Sequence, residues 1–172
     1  MVEPLSKENL LDQKRDYSPF LIHLTRDDEG FSAKDVLKQI LDDKELRAYS
    51  FTYCFFGKDL EAKDKSLQDK FKVVCFTETP LDQIDMLLKR VEGRNIDLKP
   101  YGLVFKKEFV RQNGGNPVFY MSKNLARSLW PLYNKGVEKQ FSDGENSLLA
   151  LVTICEEWND WHWEREWRTV GD

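Results

Sequence analysis

The chain has 172 residues, enough for one domain that buries about 70% of its unfolded surface without disulfide or metal staples. With 33% charged, 41% hydrophobic and 13% aromatic residues it is neither disordered nor collagen-like, and no apolar run approaches the ~20 residues that span a bilayer. Its 26 Lys and Arg against 30 Asp and Glu leave a net charge of −4, so the bulk charge does not indicate a nucleic-acid partner.

The first element expected in chain order is a strand over Phe20–Thr25, after an extension over residues 1–19. The turn from Arg26 to Gly30 closes it. Ser32 is placed to cap a helix, with Asp35 three positions on. Ala33, Val36, Leu37, Ile40 and Leu41 follow at the spacing of one helical stripe. Tyr53 to Gly57 is aromatic, and 58–70 reads as a charged surface insertion, a solvated loop or an exposed helix. Val73–Phe76 reads as a buried strand. Thr79 and Pro80 then suit the N-cap and first turn of a helix with Leu81, Ile84, Leu87, Leu88 and Val91 on its apolar face and Gly93 as its stop. Strands are expected over Pro100–Phe105 and Pro117–Met121, separated by the turn Asn113–Asn116. Ser122 should cap a helix that ends before Pro131, and Phe141–Ser147 should be a polar loop. Leu148–Cys155 fits a helical turn or a strand equally, because periodicity does not separate short apolar runs. Trp163–Val170 reads as a strand. The sum is a single α+β domain over residues 1–172: a small mixed or antiparallel sheet of about five or six strands with flanking helices.

Cysteine and histidine usage narrows the chemistry. The three cysteines, Cys54, Cys75 and Cys155, are odd in number and widely spaced, with no basic and apolar leader at the start, which points to a reducing cytoplasm. Neither Cys-x-x-Cys nor His-x-x-x-His occurs, and His23 and His162 lie far apart, so no metal site is expected. Cys75, inside an apolar run, reads as a core residue. The glycine pair Gly114–Gly115 lacks phosphate-loop spacing, and no serine nucleophile elbow appears.

The late segment is the most unusual. If Trp163–Val170 is one strand, Glu164, Glu166 and Arg168 share a face and Trp163, Arg165, Trp167 and Thr169 share the other. Two carboxylates about 7 Å apart repel, raising the pKa of one, unless Arg168 or another cation balances them, and such a pair can stabilise an oxocarbenium-like centre. The structural alternative is a solvated Glu/Arg face. On the first strand, alternation puts His23 and Thr25 on one face, where they could hold a ribose or phosphate edge; the alternative is a core histidine. Tyr101 and Tyr120 are candidates to stack on a planar ring.

Several segments in order resemble one family: His23-Leu24-Thr25 before a helix; Val74-Cys75-Phe76-Thr77-Glu78-Thr79-Pro80-Leu81; Tyr101-Gly102-Leu103-Val104-Phe105-Lys106-Lys107-Glu108; Gly115-Asn116-Pro117-Val118-Phe119-Tyr120; and Trp163-Glu164-Arg165-Glu166-Trp167-Arg168. Together, from about residue 20 onward, they resemble the AbiGi-type abortive-infection proteins of bacteria, a family described as antitoxins of phage-resistance systems. A looser similarity is to the His-Tyr-Glu layout of ADP-ribosyltransferases. It implies an NAD site in which His23 and Thr25 hold the ribose, Tyr120 or Tyr101 stacks on nicotinamide, and Glu166 or Glu164 stabilises the oxocarbenium ion. The Glu-x-Glu form of some of these transferases favours Glu166 as the catalytic acid. The chain stops soon after this strand, which fits either a minimal fold or a piece of a longer protein.

Two functions follow as expectations. One is a cytoplasmic ADP-ribosyltransferase-like phage-defence protein that takes NAD or a related nucleotide as substrate and transfers ADP-ribose to an acceptor. The other is a noncatalytic antitoxin-type module that binds a cognate toxin or phage protein, using the tryptophans at 158, 161, 163 and 167 as a contact surface. A magnesium nuclease built on Glu164, Glu166 and Asp85 is a weaker third, since no Asp…Glu-x-Lys arrangement accompanies them.

Overall fold

A computed structural model describes Lys14, Arg94 and residues 16–91, 96–142, 144–157 and 160–171. Seven strands and seven α-helices are formed among these residues, in a mixed α+β arrangement. Strands β1 (Phe20–Leu24), β2 (Val73–Thr77), β3 (Gly102–Lys106), β4 (Asn116–Pro117) and β7 (Glu166–Val170) make one sheet in the order β3-β1-β2-β7-β4, antiparallel throughout. Strands β5 (Phe119–Met121) and β6 (Val152–Ile154) make a second, parallel pair. The helices are α1 (Ala33–Asp43), α2 (Gly57–Leu60), α3 (Lys65–Asp69), α4 (Lys107–Gln112), α5 (Lys123–Arg127), α6 (Trp130–Lys139) and α7 (Glu145–Ala150).

The expected α+β class is the observed one, and the local signals hold where they rest on side-chain chemistry. Ser32 caps α1 by accepting the Asp35 N–H, and its own hydroxyl bonds the Asp35 carboxylate at 2.5 Å. Ser122 caps α5 in the same way. The α1 stripe is less complete: Ala33 is buried, but Leu41 at its far end is 55% exposed.

Several boundaries differ from expectation, each for a physical reason. The helix expected after Thr79 is one 3₁₀ segment, Leu81–Met86, with no side-chain cap. Thr79 is turned inward instead, its hydroxyl 2.8 Å from that of Thr77. Gly93, its expected stop, lies outside the described residues. The helix capped by Ser122 ends at Arg127, before Pro131 as expected, and Pro131 then lies in the first turn of a further helix, α6, where its missing N–H costs nothing. The polar loop expected over Phe141–Ser147 already contains the first turn of α7, with Glu145 accepting the Ser142 N–H. The ambiguous run Leu148–Cys155 is both things in turn: the end of α7, then β6. The strand expected over Pro117–Met121 breaks at the buried Val118, which lets β4 join the main sheet and β5 the small one.

The segment 58–70 is not a free insertion. Leu60 within it is fully buried beside Phe56, Phe71 and Tyr133, and Leu67 packs on the same cluster. Phe56 and Tyr133 stack at 4.4 Å, and the Tyr133 hydroxyl donates to Asp59 at 2.7 Å. The charges of this segment lie on the outer side of a short helical pair whose inner side completes the core.

Two hydrophobic clusters sandwich the main sheet. One gathers Leu21, Val74, Phe76, Val110 and Trp167; the other gathers Cys54, Phe56, Leu60, Phe71, Val73, Tyr133, Leu149 and Ala150. Strand alternation sorts residues between them. Phe76 pairs with Trp167 and faces the first cluster; Cys75 pairs with Arg168 and Thr77 with Glu166, and these face the second. No helix among the described residues is long and apolar enough to cross a membrane.

Candidate functional site

The register decides which predicted residues meet. Ile22 pairs with Thr77, so on the neighbouring position His23 lies beside Phe76, and their rings touch edge to face at 5.9 Å. His23 therefore faces the Trp167 side of the sheet, while Glu166 faces the other. The imidazole Nδ1 is 2.9 Å from the Cys75 carbonyl. Loss of hydration lowers its pKa, opposed in part by that carbonyl. The expected convergence of His23 with Glu166 is not formed: the period-2 geometry of three paired strands sends them to opposite faces. Thr25 is buried, with its hydroxyl 2.8 Å from the Ala33 carbonyl and 3.1 Å from that of Tyr101. It ties β1 to the start of α1 rather than opening toward a ligand. Tyr101 takes part through its backbone and leaves its ring partly exposed, away from the late acids.

The late segment is not one strand. His162–Glu164 forms a 3₁₀ turn, Arg165 adopts a left-handed backbone (φ 48°), and β7 begins only at Glu166. The pairing of Glu164 and Glu166 on one face by alternation is thereby lost, and the two carboxylates meet different cations. Glu166 is held by Arg168 in a two-pronged contact, Nε to Oε1 at 2.9 Å and Nη2 to Oε2 at 2.8 Å. Arg168 is almost completely buried and spends its other N–H groups on the carbonyls of Ala150 and Tyr53 and on the Thr153 hydroxyl. It thus bolts β7 to β6 and to the segment after Ser50. Glu164 instead pairs with Arg94 at 3.1 Å; burial raises its pKa and Arg94 opposes the rise. Thr77 fixes the turn by donating its hydroxyl to the Glu164 carbonyl at 2.7 Å.

Tyr120, one of the two predicted tyrosines, does reach this region. Its hydroxyl accepts the Glu166 N–H at 3.0 Å, and its ring lies 4.6 Å from that of His162. Burial, together with the charges of Glu166 and Glu164, pushes its hydroxyl pKa upward. Among the predicted residues, then, Tyr120, Glu164 and Glu166 are brought together, and His23, Thr25 and Tyr101 are not.

A hollow of about 270 Å³ opens beside this cluster, lined by Thr52, Tyr53, Cys54, Phe55, Lys58, Thr153, Ile154 and Trp161. Gly57 makes its near wall possible: a Cβ there would meet the Thr52 carbonyl oxygen at 2.6 Å. Arg26 donates to the Tyr53 hydroxyl at 2.5 Å. Lys58 is exposed, with no carboxylate within ion-pair reach among the described residues. An indole, a phenol and the Lys58 cation around an open hollow, with Arg26 bonded to that phenol, form a setting that accepts a flat ring attached to an anion. None of Tyr53, Lys58 or Trp161 carries a motif that singles it out in the sequence. The visible signals are the aromatic density of residues 51–56, which reads equally as core, and the tryptophan cluster that contains Trp161.

A second network sits on the opposite face. Glu78 accepts from Lys107 at 2.7 Å and from Arg165 at 3.2 Å through one oxygen, and from the Trp167 indole at 2.8 Å through the other. Lys107 also lies over the Tyr17 ring at 4.1 Å. These partners seal Glu78, so it serves the fold. The expected carboxylate reading of Asp85 finds no support here: Asp85 lies in the exposed 3₁₀ segment after Pro80, on a different element from the late acids.

Cys75 is a structural thiol, its pKa driven well up by loss of hydration and by the neighbouring Glu166. No protein-family model matches the sequence, and no curated protein and no solved structure matches it either.

Proposed function

We propose that this chain is an ADP-ribosyltransferase-like protein of a bacterial abortive-infection system, binding NAD in the hollow walled by Tyr53, Lys58 and Trp161. The observation that carries the reading is that hollow, with aromatic walls and the cations of Lys58 and Arg26 beside it. Its volume suits the nicotinamide ring with its ribose, and the open mouth leaves room for the pyrophosphate to lie toward Lys58. Glu164 is the acid this reading uses. It sits one turn from Trp161, whose carbonyl accepts the Glu164 N–H at 3.0 Å. This reading sets Glu166 aside because each of its oxygens already accepts from Arg168.

The reaction would break the bond between the nicotinamide nitrogen and the ribose C1′. The bonding pair leaves with nicotinamide, the Glu164 carboxylate offsets the positive charge that develops on the ribose, and an acceptor nucleophile forms the new bond at C1′ and loses its proton. Titration calorimetry with NAD tests the binding, and release of nicotinamide followed by chromatography tests the chemistry. Stacking on an aromatic ring is worth about 1–3 kcal/mol, so Trp161→Ala should weaken NAD binding by roughly 5- to 150-fold. Glu164→Gln should abolish nicotinamide release while retaining binding, and His23→Ala should leave binding unchanged. Absence of binding at millimolar NAD, or binding indifferent to both Trp161→Ala and Lys58→Ala, overturns the reading.

A noncatalytic antitoxin-type module is the second reading. One observation favours it: the polar groups of His23, Thr25, Tyr120 and Glu166 are all engaged in bonds that hold the fold. Silence in the NAD titration, together with a stoichiometric protein partner retained by Glu164→Gln, shifts support to it.

A further inference from the structure

Cys155, Asp160 and His162 lie on the loop between β6 and β7, and each turns a donor atom to one point. Cys155 Sγ is 3.0 Å from His162 Nδ1 and 3.2 Å from Asp160 Oδ1, and Asp160 Oδ1 is 2.9 Å from the same Nδ1. This is not the layout of a thiol–imidazole–carboxylate relay. In such a relay the ring bridges its two partners through its two nitrogens, one accepting from the nucleophile and the other donating to the acid. Here both partners crowd one nitrogen, so the ring has no path to carry a proton between them.

Asp160 also accepts the His162 backbone N–H at 3.0 Å, and its side chain is 63% exposed. A thiol sulfur, an imidazole nitrogen and a carboxylate oxygen thus lie within 4.8 Å of one another, close enough for one cation at the centre to engage all three.

We propose that Cys155, Asp160 and His162 form a zinc site. A thiolate, an imidazole and a carboxylate are the donors zinc takes, at about 2.3, 2.0–2.1 and 2.0–2.2 Å. Tetrahedral bonds of those lengths set the donors about 3.3–3.6 Å apart, so binding asks each pair to open by roughly half an ångström or less. The loop can accommodate this because the side chains of Asp160 and His162 are largely solvated. The Tyr120 ring backs the imidazole from one side. Three protein donors leave the fourth position to water. Binding displaces the thiol proton to solvent. The sequence spacing hid the site: the donors follow a Cys-x₄-Asp-x-His pattern, and they meet only in the folded chain.

The site also bears on the hollow. Trp161 stands between two of the ligands and forms a wall of it, so the metal would pin the loop that carries this indole.

Protein stripped with a chelator and titrated with Zn²⁺ alone tests the proposal, with Co²⁺ as a spectroscopic substitute and no nucleotide present. One zinc per chain is expected, and the cobalt form should show a sulfur-to-metal charge-transfer band with the intense visible absorption of four-coordinate cobalt. Outer-shell partners of zinc are each worth about 10- to 100-fold in affinity, so loss of a ligand in Cys155→Ser or His162→Ala should cost about 100-fold or more. Cys155→Ser should also erase the charge-transfer band, whereas Cys54→Ser should change neither. The wild-type chain itself decides the matter if a variant fails to fold: no stoichiometric zinc at micromolar concentration, or a cobalt spectrum without the sulfur band, overturns the proposal. So does zinc binding undiminished in the folded Cys155→Ser/His162→Ala double variant. Zinc binding without NAD binding would sink the nucleotide reading alone, because this titration does not depend on it.

Discussion

The two faces of the main sheet each bury a carboxylate, and they treat it differently. On the Trp167 face, Glu78 is surrounded by Lys107 of α4, Arg165 just before β7 and the Trp167 indole N–H of β7. On the opposite face, Glu166 has one cation, Arg168, which is itself shared with two carbonyls and a hydroxyl of neighbouring segments. The first arrangement gathers cations around an acid and closes it off. The second uses an acid to neutralise a cation whose main work is to hold two sheets together. The same contrast divides the two histidines. His23 is half-buried and bonded to a backbone carbonyl, while His162 is exposed among a thiol and a carboxylate. A site for ligands needs groups with spare coordination, and both comparisons locate it on the loop side of β7 rather than along β1.

The largest expected effect comes from breaking the Arg168 junction. Arg168→Ala leaves the Glu166 carboxylate buried without its cation, which costs about 3–5 kcal/mol. For a chain of this length each kcal/mol shifts Tm by about 2–4 °C, so calorimetry should read a fall of roughly 6–20 °C. The double variant Arg168→Met/Glu166→Leu removes both charges and should recover much of the loss. If the double variant is no better than the single, the pair is not what holds the junction.

An intermediate effect is expected on the other face. Glu78→Gln keeps an acceptor for the Trp167 indole but leaves Lys107 without its charge partner, and hydrogen bonds to charged groups contribute about 1.5–3 kcal/mol. Denaturant unfolding should register a loss in that range, smaller than that of Arg168→Ala. A loss equal to or larger than that of Arg168→Ala would reverse the comparison, making the sealed network the principal one.

The smallest effect is a pH dependence from His23. Its native pKa lies below the ordinary value of about 6.5, so the unfolded chain binds more protons between the two values. Stability from this group is fully present above about pH 6.5, falls as the pH drops below it, and is completely lost below the native pKa. His23→Gln should flatten this part of the Tm-versus-pH curve, and a wild-type curve with no acid-side decline that the variant removes would show that the ring is not held neutral.

Much of the architecture is legible in the residues. Caps such as Ser32 and Ser122 report their own local structure because an N-cap is satisfied by neighbours within a few positions, and the apolar run Val73–Phe76 reports its burial although its partners, β1 and β7, lie far off in the sequence. The site was legible only in part. Tyr120 reaches the backbone of Glu166, but the shared strand face expected for Glu164 and Glu166 is broken by the turn at 162–164, and the orientation of His23 depended on which way three paired strands turn it. The role of Glu166 depended on Arg168 reaching back two positions on a strand that starts one residue after Arg165, and a left-handed residue there is not signalled by its type.

The sequence by itself determined the α+β class, the order of most strands and helices, and the helix caps, since each follows from periodicity and short-range hydrogen bonding. Only the tertiary structure decided which acid is locked to Arg168, that Leu60 carries the charged segment into the core, and that Cys155, Asp160 and His162 meet at one point. Those outcomes rest on register and turn geometry, and a shift of a single residue in either would send the same side chains to the opposite face.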